Sequence, residues 1–420
     1  MGSRGRSGNR HQREEIPSIL RKREDSRQTS PLTTLWIAYT LSGFQERSSV
    51  ASNSCLTRIQ SCILNRLDPK PVGRKKFAGI IGDAPSHYAK SPSIWNSTFQ
   101  ALGMEAVYFP FDVEEARLPT LVQTLKESPR FMGLNVTVPY KIKIIEYLDG
   151  LDKNAQKIGA VNTIVRTREG LLKGYNTDGS GFIESLLTAL PGEPRPFLKS
   201  LKGTDTLIIG AGGSARAVAF HLAEGLGDGQ LFICNRTEET ARSLASDVKR
   251  LFPLVKSIPE EELPDRAQGV GLIVNCSTKG QGATRVSLDG KSNFLEPYSA
   301  LAPANPAIRT QCPAGRPEFY REWLSASLSD IEANNHLSWK LALSIPIHVA
   351  LCDLIYFPAE TVFLRHGRLS GHRTLNGKGM NVAQAAEAFF HKICRDDLKR
   401  LGMYDQKTYK RIFRIMYEAW

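Results

Sequence analysis

The sequence has no uninterrupted apolar run of about eighteen residues, which is the length that a transmembrane helix needs. It also lacks a Cys-x-x-Cys pair, and its seven cysteines are an odd number scattered along the chain. This pattern favours neither a disulfide framework nor a zinc site, and it suits a reducing compartment. Glycine (34) and proline (23) are too few for a collagen-like or low-complexity chain of 420 residues. We therefore expect a cytoplasmic protein without a metal centre or a membrane segment.

The formal net charge of +13 is concentrated near the start of the sequence. Residues 1–74 contain 13 Lys and Arg against 6 Asp and Glu, which is weak evidence for nucleic-acid binding by the folded body. This basic stretch has no sustained hydrophobic period. Three interpretations stay open: a disordered tail or gene-model extension, an organelle-targeting segment, and a basic interaction arm. Early acidic residues such as Glu14 and Glu15 weigh against targeting.

From Phe77 onward, short apolar runs alternate with stretches of helical periodicity. The pattern predicts strands at Phe77–Ile81, Ala106–Phe111 and Phe131–Val136, with helices between them. Ser91 followed by Pro92 predicts the start of one helix, and Pro139 the start of another that continues to Leu148. Such alternation predicts an α/β protein with a mostly parallel sheet.

A second α/β region begins with a predicted strand at Thr206–Ile209. Further strands are predicted at Leu231–Cys234 and Leu272–Asn275, and a helix with one apolar face at Glu238–Leu251. The Pro-rich stretch at about Gly282–Asn335 has no assignable pattern, and we interpret it as an irregular insertion.

The strand at Thr206–Ile209 runs directly into a glycine-rich loop, Gly210-Ala211-Gly212-Gly213-Ser214, which a helix follows. Gly210 permits a tight turn, and Gly212 lets the backbone approach a pyrophosphate. The helix N-terminus then offers free N–H groups to the anion. Strand, loop and helix in this order predict a dinucleotide site.

The type of coenzyme follows from the end of the next strand, Asn235-Arg236-Thr237. An NAD site normally carries Asp or Glu there for the ribose 2′-hydroxyl, and neither is present. The guanidinium of Arg236 and the hydroxyl of Thr237 suit a 2′-phosphate instead, so the sequence favours NADP. A structural alternative is that Thr237 caps the following helix.

Lys141 is a candidate catalytic amine. In a helix that starts at Pro139 it would lie in the first turn, where partial positive charge disfavours an ammonium and eases the loss of its proton. Asn162 and Asp178 belong to two polar motifs, Gly-Ala-Val-Asn-Thr and Gly-Tyr-Asn-Thr-Asp, at strand ends, where α/β sheets bind ligands. Taken alone, Lys141 also fits a solvated surface lysine, and Asp178 fits a helix cap.

Five motifs in this order resemble the shikimate dehydrogenase family over about Phe77 to Phe389. They are Asn-Val-Thr-x-Pro-x-Lys ending at Lys141, the two strand-end motifs, the glycine loop, and Asn-Arg-Thr. The resemblance implies reduction of 3-dehydroshikimate by NADPH, with Lys141 and Asp178 as the proton-transferring pair. It implies that the substrate is bound by Ser91, Thr137, Asn162, Tyr356 and Gln384, and NADP by Gly210, Ala211, Gly212, Gly213, Ser214, Asn235, Arg236 and Thr237.

The chain departs from the family pattern where the substrate carboxylate would bind. The family typically has His-Ser-x-Ser-Pro, whereas this chain has Tyr-Ala-Lys-Ser-Pro, so Ala89 replaces the first of two serines. Ser86 and Tyr88 are candidates to replace the lost hydroxyl, and Lys90 is a candidate to add a cation. Three functions stay open: a shikimate dehydrogenase, which we favour, a quinate or quinate/shikimate dehydrogenase, and a non-catalytic metabolite-binding regulatory protein.

We therefore expect two α/β domains that face each other across a cleft. The substrate-binding domain would span 77–177 and be completed by C-terminal helices at 379–420. A Rossmann-like NADP-binding domain would span 178–378, with the irregular insertion near 282–335, and the basic tail at 1–74 would lie outside both. The expected partner is a small-molecule substrate, and the sequence carries no signal for an oligomeric state.

Overall fold

Two six-stranded sheets form the framework of the protein in a computed structural model. The structure describes residues 56–68, 73–282, 285–286, 292–307 and 317–420, all within the unit Ser54–Trp420. Across these residues, no helix is both long enough and apolar enough to cross a membrane.

The first sheet has three long strands at one side and three short strands at the other. Its strands are β1 (Lys76–Gly82), β2 (Ala106–Asp112), β3 (Phe131–Val136), β4 (Gly150–Leu151), β5 (Thr163–Arg166) and β6 (Leu172–Tyr175). Their order is β2-β1-β3-β5-β6-β4. Strand β1 is parallel to both β2 and β3, whereas β5 is antiparallel to β3 and β6. The three strands predicted in this region are confirmed, with bounds that differ by at most one residue.

Apolar side chains cover both faces of the first sheet. Along β1, Phe77 and Ile81 belong to one buried cluster, and Ala78 and Ile80 belong to the cluster on the opposite face. This alternation follows from the two-residue period of a strand. The helices around this sheet are α1 (Pro85–Tyr88), α2 (Ser91–Ala101), α3 (Leu118–Lys126) and α4 (Lys153–Ile158). Helix α2 begins at Ser91 as predicted from Ser91-Pro92, but the cap is Lys90 rather than Ser91.

Residues 56–68 pack on the first sheet, so the predicted basic tail is wrong for this part of 1–74. A helical turn at 56–60 is followed by a segment along the edge of β2, where the N–H of Leu64 donates to the carbonyl of Asp112 at 2.8 Å. Ile59 is 0% exposed and Ile63 is 4% exposed, because both enter a cluster on the sheet. Residues 1–55 lie outside the described residues.

The second sheet is parallel throughout. The strands that follow in the chain are β7 (Thr206–Ile209), β8 (Leu231–Cys234), β9 (Val255–Ile258), β10 (Leu272–Asn275), β11 (Arg285–Val286), β12 (Ser292–Asn293), β13 (Ala350–Asp353) and β14 (Thr374–Leu375). The order of the second sheet is β14-β13-β10-β7-β8-β9, and β11 pairs with β12 as a separate antiparallel ribbon. The predicted strands β7, β8 and β10 have the predicted bounds.

Helices cover both faces of the second sheet, because its strands alternate between two apolar clusters. In β7, Ile208 joins one cluster, whereas Leu207 and Ile209 join the other. The helices that follow β6 are α5 (Asp178–Leu187), α6 (Gly213–Leu226), α7 (Glu238–Lys249), α8 (Leu263–Ala267), α9 (Pro317–Ser344) and α10 (Val362–Leu369). Helix α7 ends two residues earlier than predicted, which leaves Leu251 exposed rather than on the buried face.

Part of the predicted irregular insertion is a helix. The interpretation of Gly282–Asn335 as irregular is wrong from Pro317 onward, where α9 begins. Phe319 and Trp323 lie one helical turn apart on α9, and both are fully buried in a small cluster with Tyr298. This apolar pair fixes one end of the helix, although Ser, Asp and Asn weaken its periodicity. Residues 283–284, 287–291 and 308–316 lie outside the described residues.

The last helices return to the first sheet. They are α11 (Lys378–Glu387), which continues as a π-helical segment (Ala388–Ile393), then α12 (Arg395–Arg400) and α13 (Gln406–Glu418). Phe389 and Met416 enter the cluster on one face of that sheet. Helix α11 also packs closely on α5, since a Cβ at Gly181 would lie 2.5 Å from the backbone nitrogen of Gln384. The predicted fold class, an α/β domain with a mostly parallel sheet and a Rossmann-like domain with a cleft between them, is confirmed.

Candidate active site

Lys141 and Asp178 form an ion pair between the two sheets. Lys141 follows β3, and Asp178 is the first residue of α5. The Nζ atom of Lys141 donates to Oδ2 of Asp178 at 2.5 Å and to Oγ of Ser214 at 3.1 Å. The side chains of the pair are only 13% and 6% exposed, respectively. The ammonium is therefore held at a fixed place between a carboxylate and the start of α6.

The helix predicted from Pro139 to Leu148 is wrong. The chain makes turns after β3 and then a 3₁₀ helix, Lys143–Tyr147. The carbonyl of Lys141 accepts a hydrogen bond of 2.7 Å from the N–H of Val161, a residue close to β5, so it is not available to an α-helix. The argument that the positive end of a helix disfavours the ammonium of Lys141 is therefore also wrong. Asp178 likewise is not a helix cap, because Thr177 precedes it as the cap residue of α5.

Asn162 connects the ion pair to helix α11. Its Nδ2 atom lies 2.7 Å from Oδ1 of Asp178 and 3.3 Å from Oε1 of Gln384. Its Oδ1 atom accepts from the N–H of Thr177 at 2.8 Å. Because Asn162 is 2% exposed, these contacts are shielded from water. Asn162 therefore orients the carboxylate oxygen that Lys141 does not contact.

A cavity of about 640 Å³ opens beside this ion pair. Its volume lies in the range of sites for small organic ligands. Ten of the predicted site residues line it: Ser91, Thr137, Lys141, Asn162, Asp178, Gly212, Gly213, Ser214, Tyr356 and Gln384. The structure thus brings together side chains from both sheets and from the returning helix α11.

The glycine loop joins β7 to α6 with the geometry that the sequence predicts. Gly210 has a φ of +119°, and a Cβ there would lie 2.7 Å from the carbonyl carbon of Cys276. Gly212 is the cap residue of α6, and a Cβ there would meet nothing within 4 Å. The backbone at the start of α6 is therefore open toward the cavity, which fits the approach of a pyrophosphate.

The remaining predicted coenzyme residues lie at the carboxyl ends of β7 and β8, and they do not line the cavity. Gly210 and Ala211 follow β7, and Asn235-Arg236-Thr237 follows β8, which pairs with β7 in parallel. Arg236 is exposed. Thr237 is the cap residue of α7, but its side chain makes no capping hydrogen bond. The hydroxyl of Thr237 is thus not committed to the helix.

The segment before α2 contains the family departure. Tyr88, Ala89, Lys90 and Ser91 line the cavity. Ser86 does not line it, and its hydroxyl donates to Oδ2 of Asp112 at 2.5 Å. Ser86 is therefore not a replacement for the missing hydroxyl. The hydroxyl of Tyr88 is likewise committed, because it donates to Oδ1 of Asp83 at 2.7 Å. Lys90, the candidate cation, lines the cavity.

Three buried polar residues that the sequence analysis did not assign also support the site. Asn176 accepts a hydrogen bond of 3.0 Å from the N–H of Asp178. The hydroxyl of Tyr108 donates to Oδ1 of Asn135 at 2.7 Å, and burial raises the pKa of the Tyr108 phenol. A hydrogen bond also links Tyr108 to Ser91. Asn135 and Asn176 could have been found from the sequence, because both belong to polar motifs at strand ends. Nothing in the sequence distinguishes Tyr108.

Comparison with known proteins assigns each sheet to a family model. The model described as the shikimate dehydrogenase substrate binding domain matches residues 80–164. The model described as shikimate / quinate 5-dehydrogenase matches residues 195–281. The first match therefore falls on the first sheet, and the second falls on the glycine loop and its neighbours.

Full-length relatives and solved structures agree with these matches. A shikimate dehydrogenase (NADP(+)) of Lysinibacillus sphaericus is 32% identical over 317 residues, which are 76% of this chain and 92% of the relative. The shikimate dehydrogenase (NADP(+)) of Carboxydothermus hydrogenoformans is 34% identical over 317 residues, 76% of this chain and 91% of the relative. The shikimate 5-dehydrogenase of Thermus thermophilus, solved with NADP(H) and shikimate, is similar at a TM-score of 0.55. It is 26% identical, and the match covers 82% of this chain and 100% of that chain.

Proposed function

The chain belongs to the shikimate dehydrogenase family, and from that premise we propose that it reversibly reduces 3-dehydroshikimate to shikimate with NADPH. The observation that carries this proposal is the Lys141–Asp178 pair on the wall of the cavity. The start of α6 lines the same cavity, so a proton donor and a dinucleotide-binding element face one space. The named activity of both curated relatives supports this reaction.

The residues at the glycine loop and after β8 fit NADP. Gly212 leaves room for a pyrophosphate. Arg236 offers an exposed cation for a 2′-phosphate, and no carboxylate occupies positions 235–237. When bound, the reduced coenzyme supplies the hydride. The residues that we assign to NADP are Gly210, Ala211, Gly212, Gly213, Ser214, Asn235, Arg236 and Thr237.

Lys141 donates the proton that the reduction requires. Reduction of a ketone leaves negative charge on its oxygen, which an ammonium within hydrogen-bond reach neutralises. Asp178 keeps the amine in place, and Asn162 keeps the carboxylate in place. In the direction of shikimate oxidation, the same amine accepts the proton.

Five side chains that line the cavity are assigned to the substrate: Ser91, Thr137, Asn162, Tyr356 and Gln384. The amide nitrogen of Gln384 donates to the carbonyl of Asn381 at 2.9 Å, which fixes the orientation of the amide. Asn162 contributes chiefly by orienting Asp178, because its amide hydrogens are directed at acceptors within the protein. The hydroxyl-bearing side chains supply hydrogen bonds to a polyol.

Quinate is the second candidate substrate, because Ala89 removes one hydroxyl from the predicted carboxylate site. The family model over residues 195–281 also names both shikimate and quinate. A non-catalytic metabolite-binding protein is the third candidate. We disfavour it, because a protein that only binds a metabolite has no need of the Lys141 proton donor.

Initial rates with shikimate and quinate, each with NADP and with NAD at several pH values, test these candidates. We expect the highest kcat/KM for shikimate with NADP. A higher value for quinate with NAD would overturn both the substrate and the coenzyme assignment. Binding of shikimate without reduction of either coenzyme would favour the regulatory protein.

A further inference from the structure

Trp420 packs against Tyr356 in the wall of the cavity. The two ring centroids are 5.1 Å apart, and the ring planes meet at 83°, which is an edge-to-face arrangement. Tyr356 lies in the loop after β13 and lines the cavity. Trp420 packs on the apolar cluster of the first sheet. The contact therefore joins a cavity-lining loop of one sheet to the helices that cover the other.

The backbone and side chains next to Trp420 are held by two further helices. The hydroxyl of Ser93, on α2, donates to the carbonyl of Ala419 at 3.0 Å. The Nζ atom of Lys378, at the start of α11, lies 4.0 Å from the ring centroid of Tyr417 and 6.0 Å from that of Trp420. Burial lowers the pKa of Lys378. The segment Tyr417–Trp420 is thus fixed before it reaches Tyr356.

Edge-to-face packing determines the plane of the Tyr356 ring. The phenol oxygen lies on the Cβ–Cγ axis of the ring, so χ1 sets its position, and a change of χ1 would break the contact with Trp420. The same apolar cluster that receives Trp420 includes Ala89, which also lines the cavity. Ala89 has a methyl group at the position where the family carries a serine hydroxyl. Substrate binding in this chain therefore depends more strongly on the position of the Tyr356 hydroxyl.

We propose that Trp420 is a positioning residue, which holds the ring of Tyr356 in the cavity wall and thereby raises the affinity for substrate. The inference rests on the proposed function, since it concerns the same cavity. Trp420 itself does not line the cavity, so its effect passes through Tyr356.

The test compares Trp420→Ala and Trp420→Phe in the full chain. We expect the alanine variant to raise KM for shikimate roughly two- to tenfold, the range for one aromatic pair, with kcat unchanged. The phenylalanine variant keeps a ring edge and should restore most of the affinity. Trp339→Ala is the matched control, because the half-buried Trp339 makes a similar ring contact with His366, at 5.3 Å and 72°, and does not line the cavity. Equal KM values for Trp420→Ala and wild type, or an equal rise in both alanine variants, would overturn the proposal.

A double-mutant cycle with Tyr356→Phe tests whether Trp420 acts through the tyrosine hydroxyl. If it does, adding Trp420→Ala to Tyr356→Phe changes KM little, whereas additive effects contradict the proposal. Calorimetric binding of shikimate in the presence of NADPH, which cannot accept a hydride from shikimate, gives the same comparison without turnover. An inactive wild-type protein would therefore contradict the proposed function, while the affinities would still decide the role of Trp420.

Discussion

The amine of Lys141 donates a 2.5 Å hydrogen bond to the carboxylate of Asp178, although the two residues are 37 positions apart in the chain. Lys141 lies in the turn after β3, and Asp178 is the first residue of α5. Asn162 binds the other carboxylate oxygen at 2.7 Å. Two elements of the fold thus hold one proton-transfer unit in place, and its properties can be tested by single substitutions.

Lys141→Ala should lower kcat for shikimate oxidation by about two to four orders of magnitude, the usual contribution of a positioned acid or base. Shikimate affinity should be largely kept, because Ser91, Thr137 and Gln384 still line the cavity. Coenzyme reduction followed by absorbance gives kcat, and calorimetry gives the affinity. Lys143→Ala is the control, since Lys143 is half-buried, does not line the cavity and pairs with Glu146 at 3.5 Å. Wild-type turnover in the Lys141 variant would contradict the assignment.

Gly210→Ala should lower the stability of the protein, whereas Gly212→Ala should weaken the binding of NADP. Alanine at Gly210 is strained by the φ of +119° and meets backbone atoms of Cys276, so we expect a lower melting temperature and a loss of about 1–3 kcal/mol in stability. Alanine at Gly212 meets no protein atom within 4 Å, so the melting temperature should be kept. Its methyl group would stand where the pyrophosphate approaches, so KM for NADP should rise. Indistinguishable melting temperatures and KM values for the two variants would contradict this reading of the loop.

Arg236→Ala should weaken NADP without affecting NAD. A hydrogen bond to a charged group contributes about 1.5–3 kcal/mol, so KM for NADP should rise about tenfold to a hundredfold. Initial rates with both coenzymes measure the ratio. Arg242→Ala, which removes a nearby cation already paired with Glu238 at 2.5 Å, is the control. A parallel loss for NADP and NAD would show that Arg236 does not select the 2′-phosphate.

Asp353 should make stability depend on pH. Its carboxyl is 0% exposed at the end of β13, and burial raises its pKa to about 7, although hydrogen bonds from Ile355, Thr361 and Asn275 oppose this rise. The unfolded chain has a pKa of about 3.9 for this group, so the folded state holds the proton more tightly. The stabilisation is complete below pH 4 and is lost as the pH rises to about 7, at most about 1.4 kcal/mol for each pH unit.

Asp353→Asn removes this titration. Urea unfolding at pH values from 5 to 8 should therefore give a flatter dependence of the free energy of unfolding for the variant than for wild type. Asp265→Asn, on the exposed side of α8, should keep the wild-type slope. Equal slopes for wild type and Asp353→Asn would show that this carboxyl is ionised throughout the range.

Strands and the coenzyme loop were predictable because their signals are local. Phe131–Val136 and Thr206–Ile209 are short, mostly apolar runs, and each is buried on both faces of its sheet. The bounds of both strands agree with the prediction. The left-handed turn at Gly210 is encoded by the glycine itself. Local rules failed at Pro139, where the proline signal for a helix start competes with a hydrogen bond from Val161 to the carbonyl of Lys141.

The sequence by itself determined the alternation of strands and helices, the dinucleotide loop and the residue types needed for proton transfer. Only the tertiary structure decided that Asn162 binds the carboxylate of Asp178 and that Trp420 lies against Tyr356. The physical reason is the range of the interactions. Backbone sterics and hydrophobic periodicity act over a few neighbouring residues, whereas these contacts depend on how two sheets and the last helices pack together.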